Sequence, residues 1–213
     1  DSDLGVHKEC DLKMFGEAES HILTDVSLPG SYNKSLIETS KGSFILKPST
    51  EDHPYISEGE ITCNQIYQSM GVKVAAFSRY THSEDMPFAT KIFTQKSEIF
   101  EHLSNYLKND KYTQKGIIDE YTIQSILGVL DMAGIKDDTN MFIRMCLADA
   151  IIGNDDRHSD NIGVLSKNGH RKLAPIYDNT SFIIRNKKVG NMDFCPYISI
   201  SSDIIGSISG YIK

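Results

Sequence analysis

The chain has 213 residues, 39% of them apolar, enough for one sizeable domain or for two small lobes around a shared cleft. A net charge of −7 and a pI near 5.5 argue against a surface built mainly to hold a nucleic-acid backbone, which needs a basic patch. No stretch approaches the roughly 18 apolar residues of a membrane span, and Cys10, Cys63, Cys146 and Cys195 show no paired spacing, so a soluble protein of the reducing cytoplasm is expected.

Residues 1–20 are largely polar and read as a tail or the remainder of a small preceding module. Ser27-Leu28-Pro29-Gly30-Ser31-Tyr32-Asn33 is turn chemistry. It precedes two strand-like runs, 34–38 and 43–47, separated by Ser40-Lys41-Gly42, which predict a hairpin. Ile61, Cys63, Ile66, Tyr67 and Met70 recur at helical spacing ahead of the stop signal Gly71, so a helix is expected over 57–70. Two further strands are expected within 73–80 and 88–94, joined by Ser83-Glu84-Asp85. Past Gln95 the pattern turns helical over 97–107, 121–133 and 140–152. The runs 161–165 and 172–176 flank Lys167-Asn168-Gly169-His170, a second hairpin signal.

The densest chemistry follows the last helix. Gly153-Asn154-Asp155-Asp156-Arg157-His158-Ser159-Asp160-Asn161 leads into that hairpin, and Asp178 closes Pro175-Ile176-Tyr177-Asp178, 17 residues past Asn161. Phosphoryl transfer needs an aspartate that orients the incoming hydroxyl and accepts its proton, plus Asn and Asp oxygens that hold magnesium on the phosphates. Asp156, Asn161 and Asp178 supply these groups in the order that kinases use. Each aspartate taken alone would be an ordinary turn residue. Upstream, Lys47 ends a strand, where an ammonium can reach phosphates and be held by an acid on the next helix. Glu60 is the expected partner, because Glu58, two positions earlier, faces elsewhere. The loop from Ser27 to Lys34 could cover phosphates through backbone N–H groups at Gly30 and the charge of Lys34.

These residues resemble the HipA family of serine/threonine kinases, the toxins of bacterial toxin–antitoxin pairs, over about Ser27 to Asp178. Ser27 to Lys34 resembles the family's phosphate loop, Phe44-Ile45-Leu46-Lys47-Pro48 its nucleotide-lysine strand, and Glu60 its helix glutamate. Lys91-Ile92-Phe93 falls at the interlobe hinge, and the block Ile151 to Asn161 and Pro175 to Asp178 are the most specific parts. The resemblance implies an α+β, two-lobed protein-kinase-like fold, with a strand-rich nucleotide-binding N-lobe over 21–94 and a mainly helical C-lobe over 95–213. It implies ATP and Mg²⁺ as cofactors, Asp156 as catalytic base, and Asn161 and Asp178 as metal ligands. Gly30, Lys34, Lys47, Glu60, Lys91, Phe93, His158 and Tyr177 would contact the nucleotide, and Ser27 would be a regulatory autophosphorylation site. A phosphate at Ser27 would add about −2 charge in the loop that should hold ATP.

The partners it implies are a cytoplasmic protein substrate, aminoacyl-tRNA synthetases being the targets of the best-known relatives, and an antitoxin. Direct nucleic-acid or membrane binding is not expected. His7 and Cys10 resemble the tail of a cysteine-rich knuckle, but two ligands do not complete a tetrahedral zinc site. With 35 residues after Asp178, the C-lobe is expected to be incomplete. A phosphoinositide or small-molecule kinase and a non-catalytic kinase-fold binding module stand as alternatives. The first usually has Asp-Phe-Gly where this chain has Asp178-Asn179-Thr180.

Overall fold

The computed structural model describes residues 15, 21–23, 34–51, 54–108, 122–135, 138–154 and 157–179. It divides into two compact units, one of residues 1–65 and 75–93, the other of residues 66–74 and 94–213.

The first unit is organised by a five-stranded antiparallel sheet. Its strands are β1 (His21–Leu23), β2 (Ser35–Thr39), β3 (Gly42–Lys47), β4 (Phe77–Arg79) and β5 (Phe88–Lys91), in the order β1-β2-β3-β5-β4. The β2–β3 hairpin forms where the sequence predicts it, because Gly42 at φ 120° takes a backbone conformation closed to other residues. Thr39 Oγ1 steadies the turn by donating to the Gly42 carbonyl at 3.1 Å. Alternate residues of the strands face one side, and Ile37, Phe44, Leu46 and Ala89 form the core there with Tyr80 and Phe15. Phe15, from the segment read as a polar tail, meets Phe44 at 4.9 Å and Tyr80 edge-on at 5.3 Å between ring centroids. Helix α1 (Ile56–Ser69) follows β3.

The second unit holds β6 (Ile99–His102), α2 (Leu103–Leu107), α3 (Ile123–Met132), α4 (Thr139–Ile152), a 3₁₀ turn (Ser159–Asn161), β7 (Gly163–Lys167) and β8 (His170–Leu173). Thr122 caps α3, its Oγ1 accepting from the Ser125 N–H at 3.1 Å. The expected helix over 97–107 is a strand in its first half: Ile99 to His102 pair antiparallel with Ser166 to Gly163. A partner more than sixty residues away decides this, and Ile99-Phe100 fits either period locally. Gly163 permits the pairing to pack, because a Cβ there would stand 2.3 Å from the Phe100 ring and 2.9 Å from Ala174 Cβ. The β7–β8 hairpin closes through Asn168 and Gly169 at φ 51° and 81°, as a two-residue turn with both φ values positive requires. Beyond β8 the chain pairs again, Val74 with Ile176 in parallel, with the Ile176 N–H donating to the Lys73 carbonyl at 2.8 Å. This fixes the segment immediately before Asp178.

Candidate functional site

In the first unit, Lys47 is the last residue of β3 and lies opposite Phe88 of β5. Its ammonium donates to Glu60 Oε1 of α1, and both residues are almost fully enclosed, at 3% and 1% exposure. Ser57 ties strand to helix: its hydroxyl donates to the Lys47 carbonyl at 3.0 Å and accepts from the Phe88 N–H at 3.2 Å. Lys47 Nζ also stands 5.9 Å from the centre of the Phe88 ring. Glu58 points elsewhere and takes Arg79 at 3.0 Å, as expected of residues two apart on a helix.

Other residues singled out in the sequence fall in this unit. Lys34 is half-buried just before β2. Lys91 ends β5 with Nζ 5.8 Å from the centre of the Phe44 ring. Its N–H donates to the Ala76 carbonyl at 2.7 Å, and the Ile92 N–H to the Ser43 carbonyl at 2.9 Å. Both donors are thus used inside the unit. Phe93 is half-buried at the end of the unit. Ser27 and Gly30 lie outside the described residues.

In the second unit, α4 ends at Gly153, whose left-handed φ of 64° turns the chain out of the helix, with the Gly153 and Asn154 N–H groups both satisfied by the Asp149 carbonyl. Asp155 and Asp156 lie outside the described residues. The loop resumes at Arg157 and closes into the 3₁₀ turn by a reciprocal cap. His158 Nδ1 accepts from the Asp160 N–H at 3.2 Å, and Asn161 Oδ1 accepts from the His158 N–H at 2.9 Å. Asn161 is 9% exposed. Asp178 is half-buried with φ 54°, a left-handed conformation that Asn and Asp tolerate better than most side chains. The Tyr177 hydroxyl stands 3.4 Å from His102 Nδ1 and from the Asp160 carbonyl, and burial pushes its pKa up to about 12. A hydrogen bond from Ser104, with Lys108, His158 and His102 nearby, holds the Asp160 carboxyl below its usual range.

Asn161 and Asp178 offer an amide oxygen and a carboxylate, the hard donors that magnesium takes. Asn161 Oδ1 accepts from the His158 N–H at 2.9 Å, and an amide oxygen carries two lone pairs. Among the described residues no group of three His, Cys, Asp or Glu side chains is placed to hold a metal. Two protein oxygens suit an ion that keeps water and phosphate as its other ligands.

A family model for the HipA-like C-terminal domain matches residues 26–202. The chain belongs to that family. A putative kinase of Haemophilus influenzae (strain ATCC 51907 / DSM 11121 / KW20 / Rd) is 29% identical over 154 residues, covering 65% of this chain and 45% of the relative. Among solved structures, the Helicobacter pylori proinflammatory kinase CtkA superposes with a TM-score of 0.61 at 22% identity, over 80% of this chain and 61% of CtkA. Shewanella oneidensis MR-1 HipA, in its toxin–antitoxin complex with HipB and operator DNA, superposes with a TM-score of 0.52 at 13% identity, over 85% of this chain and 50% of that one. The two likenesses show the HipA-type kinase-like fold, and the chain spans between 45% and 61% of the length of these three proteins.

Within this HipA-like domain lies a buried network that local sequence patterns do not reveal. Asp149, inside α4, accepts from Arg157, from Asn154 Nδ2 at 2.7 Å and from the Tyr67 hydroxyl. Burial opposes the charge on Arg157, and Asp149 and Tyr67 together outweigh it, holding the guanidinium protonated. Burial raises the Tyr67 pKa, against the pull of Arg157. The available signal was Asp149 itself, a lone charge in the apolar run Met145-Cys146-Leu147-Ala148-Asp149-Ala150-Ile151-Ile152. No helix among the described residues is long and apolar enough to cross a membrane.

Proposed function

We propose that this chain is the nucleotide-binding and phosphoryl-transferring core of an ATP- and magnesium-dependent serine/threonine protein kinase, with residues 21–94 as its nucleotide lobe and 95–213 as its catalytic lobe. The observation that carries the reading is the buried pair of Lys47 and Glu60. Enclosing an ammonium and a carboxylate at a strand end is costly and adds little to stability against apolar residues of the same size. Such a pair makes sense where the lysine has an anionic ligand to hold, and the family's nucleotide lysine is that residue.

In this reading Lys47, oriented by Glu60, meets the α- and β-phosphates, with Lys34 and the Ser27-to-Lys34 backbone at Gly30 closing over them. Lys91, Phe93, His158 and Tyr177 complete the nucleotide's surroundings. Magnesium, when bound, neutralises phosphate charge, and Asn161 and Asp178 would hold it. The substrate's serine or threonine hydroxyl attacks the γ-phosphorus while Asp156 takes its proton. The new O–P bond forms as the bond to the β,γ-bridging oxygen breaks, and ADP leaves. Ser27 is the proposed autophosphorylation site. The substrate is a cytoplasmic protein, and an antitoxin and an aminoacyl-tRNA synthetase are partners proposed from the family alone.

The test is labelled ATP with Mg²⁺, given to the protein alone, with lysate proteins, and with phosphoinositide vesicles, each beside Asp156→Ala. Label on protein that the variant loses is the expected result. Label on lipid would replace the reading with a lipid kinase, and nucleotide binding without transfer would replace it with a binding module.

A further inference from the structure

The Arg157 side chain is 7% exposed and its donors are aimed in three directions. Nε donates to Asp149 Oδ2 and Oδ1 at 3.2 and 3.3 Å. Nη1 donates to the Asn161 carbonyl at 3.3 Å. Nη2 reaches Asp149 Oδ1 at 3.2 Å, the Tyr67 hydroxyl at 3.1 Å and Asn179 Oδ1 at 2.6 Å. Asp149 belongs to α4, Asn161 ends the 3₁₀ turn, and Asn179 is the neighbour of Asp178. A guanidinium is planar and its donors leave in fixed directions, so it cannot follow one partner without losing another.

We infer that Arg157 is a positioning residue: through the Asn161 carbonyl and Asn179 Oδ1 it holds Asn161 and Asp178 in one fixed arrangement braced against Asp149. The inference rests on the reading of Asn161 and Asp178 as magnesium ligands. Two features of Asp178 sharpen it. Its backbone is left-handed, a region that Asp visits more readily than most side chains but still at some cost, and a contact at the next residue helps to hold it there. The next residue, Asn179, is fully enclosed and makes the shortest of the bonds that Arg157 donates. Asn179 is therefore the handle by which the guanidinium fixes the Asp178 backbone. Arg157 touches neither nucleotide nor metal in this role; it sets where the two ligands stand. Partners of this kind around metal ligands are worth about 10–100-fold in metal affinity.

The experiment is calorimetric titration of ADP with and without MgCl₂ into wild type, Asn179→Leu, Asn179→Asp and Arg157→Lys, beside thermal melts. Leucine matches asparagine in size and accepts no hydrogen bond, whereas aspartate keeps the acceptor. The magnesium-dependent gain in ADP affinity should fall about 10–100-fold in Asn179→Leu and in Arg157→Lys, and return in Asn179→Asp. ADP affinity without magnesium should stay at the wild-type value in all four proteins, which a general loosening of the fold would not allow. If Asn179→Leu does not fold, Asn179→Ser, too short to meet the guanidinium, carries the same expectation. A wild-type gain that the leucine or serine variant keeps would overturn the positioning role alone. No magnesium-dependent gain in the wild type would overturn the metal reading and this role together.

Discussion

Lys47 and Glu60 form an ion pair that joins the end of β3 to α1 with almost no access to water. Removing one member of such a pair strands the other charge, which costs about 3–5 kcal/mol, whereas replacing both with apolar residues is close to neutral. Lys47→Met should therefore lower unfolding stability strongly, and Lys47→Met with Glu60→Leu should recover most of the loss. Urea unfolding of the two singles and the double measures this. Additive losses in the double variant would sink the argument. The double variant should fold and still fail to bind nucleotide.

This pair was legible in the sequence because a strand end, a helix start and a two-residue difference between Glu58 and Glu60 are local facts. Strand β6 was not legible, since Ile99-Phe100-Glu101-His102 becomes a strand only through β7, and nothing near Phe100 announces that partner. The Arg157 network was hidden for the same reason. Tyr67 and Arg157 are 90 positions apart, and by its spacing alone Tyr67 is one more apolar position of α1. Gly163 looked like part of a hairpin, and only the Phe100 ring packed against it explains why no side chain fits. Local periodicity carries the elements; the contacts of Arg157 with Tyr67, Asp149, Asn161 and Asn179 depend on separate segments brought together by folding.

Alkaline stability should respond to Tyr67. Burial is the main cause of its raised pKa, with Asp149 adding to it, so above about pH 10 the unfolded chain releases a proton that the folded chain keeps. The folded state then binds more protons, and stability falls as pH rises, by up to about 1.4 kcal/mol per pH unit for this group. Tyr177, half-buried and pushed up to about 12, adds a smaller contribution over the same range because water screens it. Urea unfolding between about pH 9 and about pH 11 should show this decline, and Tyr67→Phe should flatten it. An unchanged slope in the variant would contradict the burial of a neutral hydroxyl.

Gly128 and Gly169 should respond oppositely to the same change. Among the described residues a Cβ at Gly128 or at Gly169 would meet nothing within 4 Å, which leaves the backbone to decide. Gly128 lies within α3, where alanine is favoured, and Gly128→Ala should stabilise by about 0.5–1 kcal/mol. Gly169 sits at φ 81° in the β7–β8 turn, and Gly169→Ala should destabilise by about 1 kcal/mol or more. Thermal unfolding of both variants checks the pair of signs. Equal signs would contradict the turn or the helix.

Asp156 and Asp178 are assigned different tasks, and binding separates them from transfer. A carboxylate that takes a proton from the incoming hydroxyl acts on a step that follows nucleotide binding, so Asp156→Ala should leave the affinity for Mg²⁺–ATP near wild type and remove transfer. A carboxylate that holds the metal acts on binding itself, so Asp178→Ala should weaken Mg²⁺–ATP by about tenfold or more, or about 1.4 kcal/mol, and leave magnesium-free ATP unchanged. The left-handed backbone at Asp178 supplies a control: Asp178→Asn keeps a side chain that tolerates this φ while losing the charge. Weak metal binding in both Asp178→Ala and Asp178→Asn places the effect on the carboxylate, whereas a loss confined to Asp178→Ala places it on the backbone. Equal loss of Mg²⁺–ATP affinity in Asp156→Ala and Asp178→Ala would contradict the division of roles, because a proton acceptor has no reason to set the affinity for the metal.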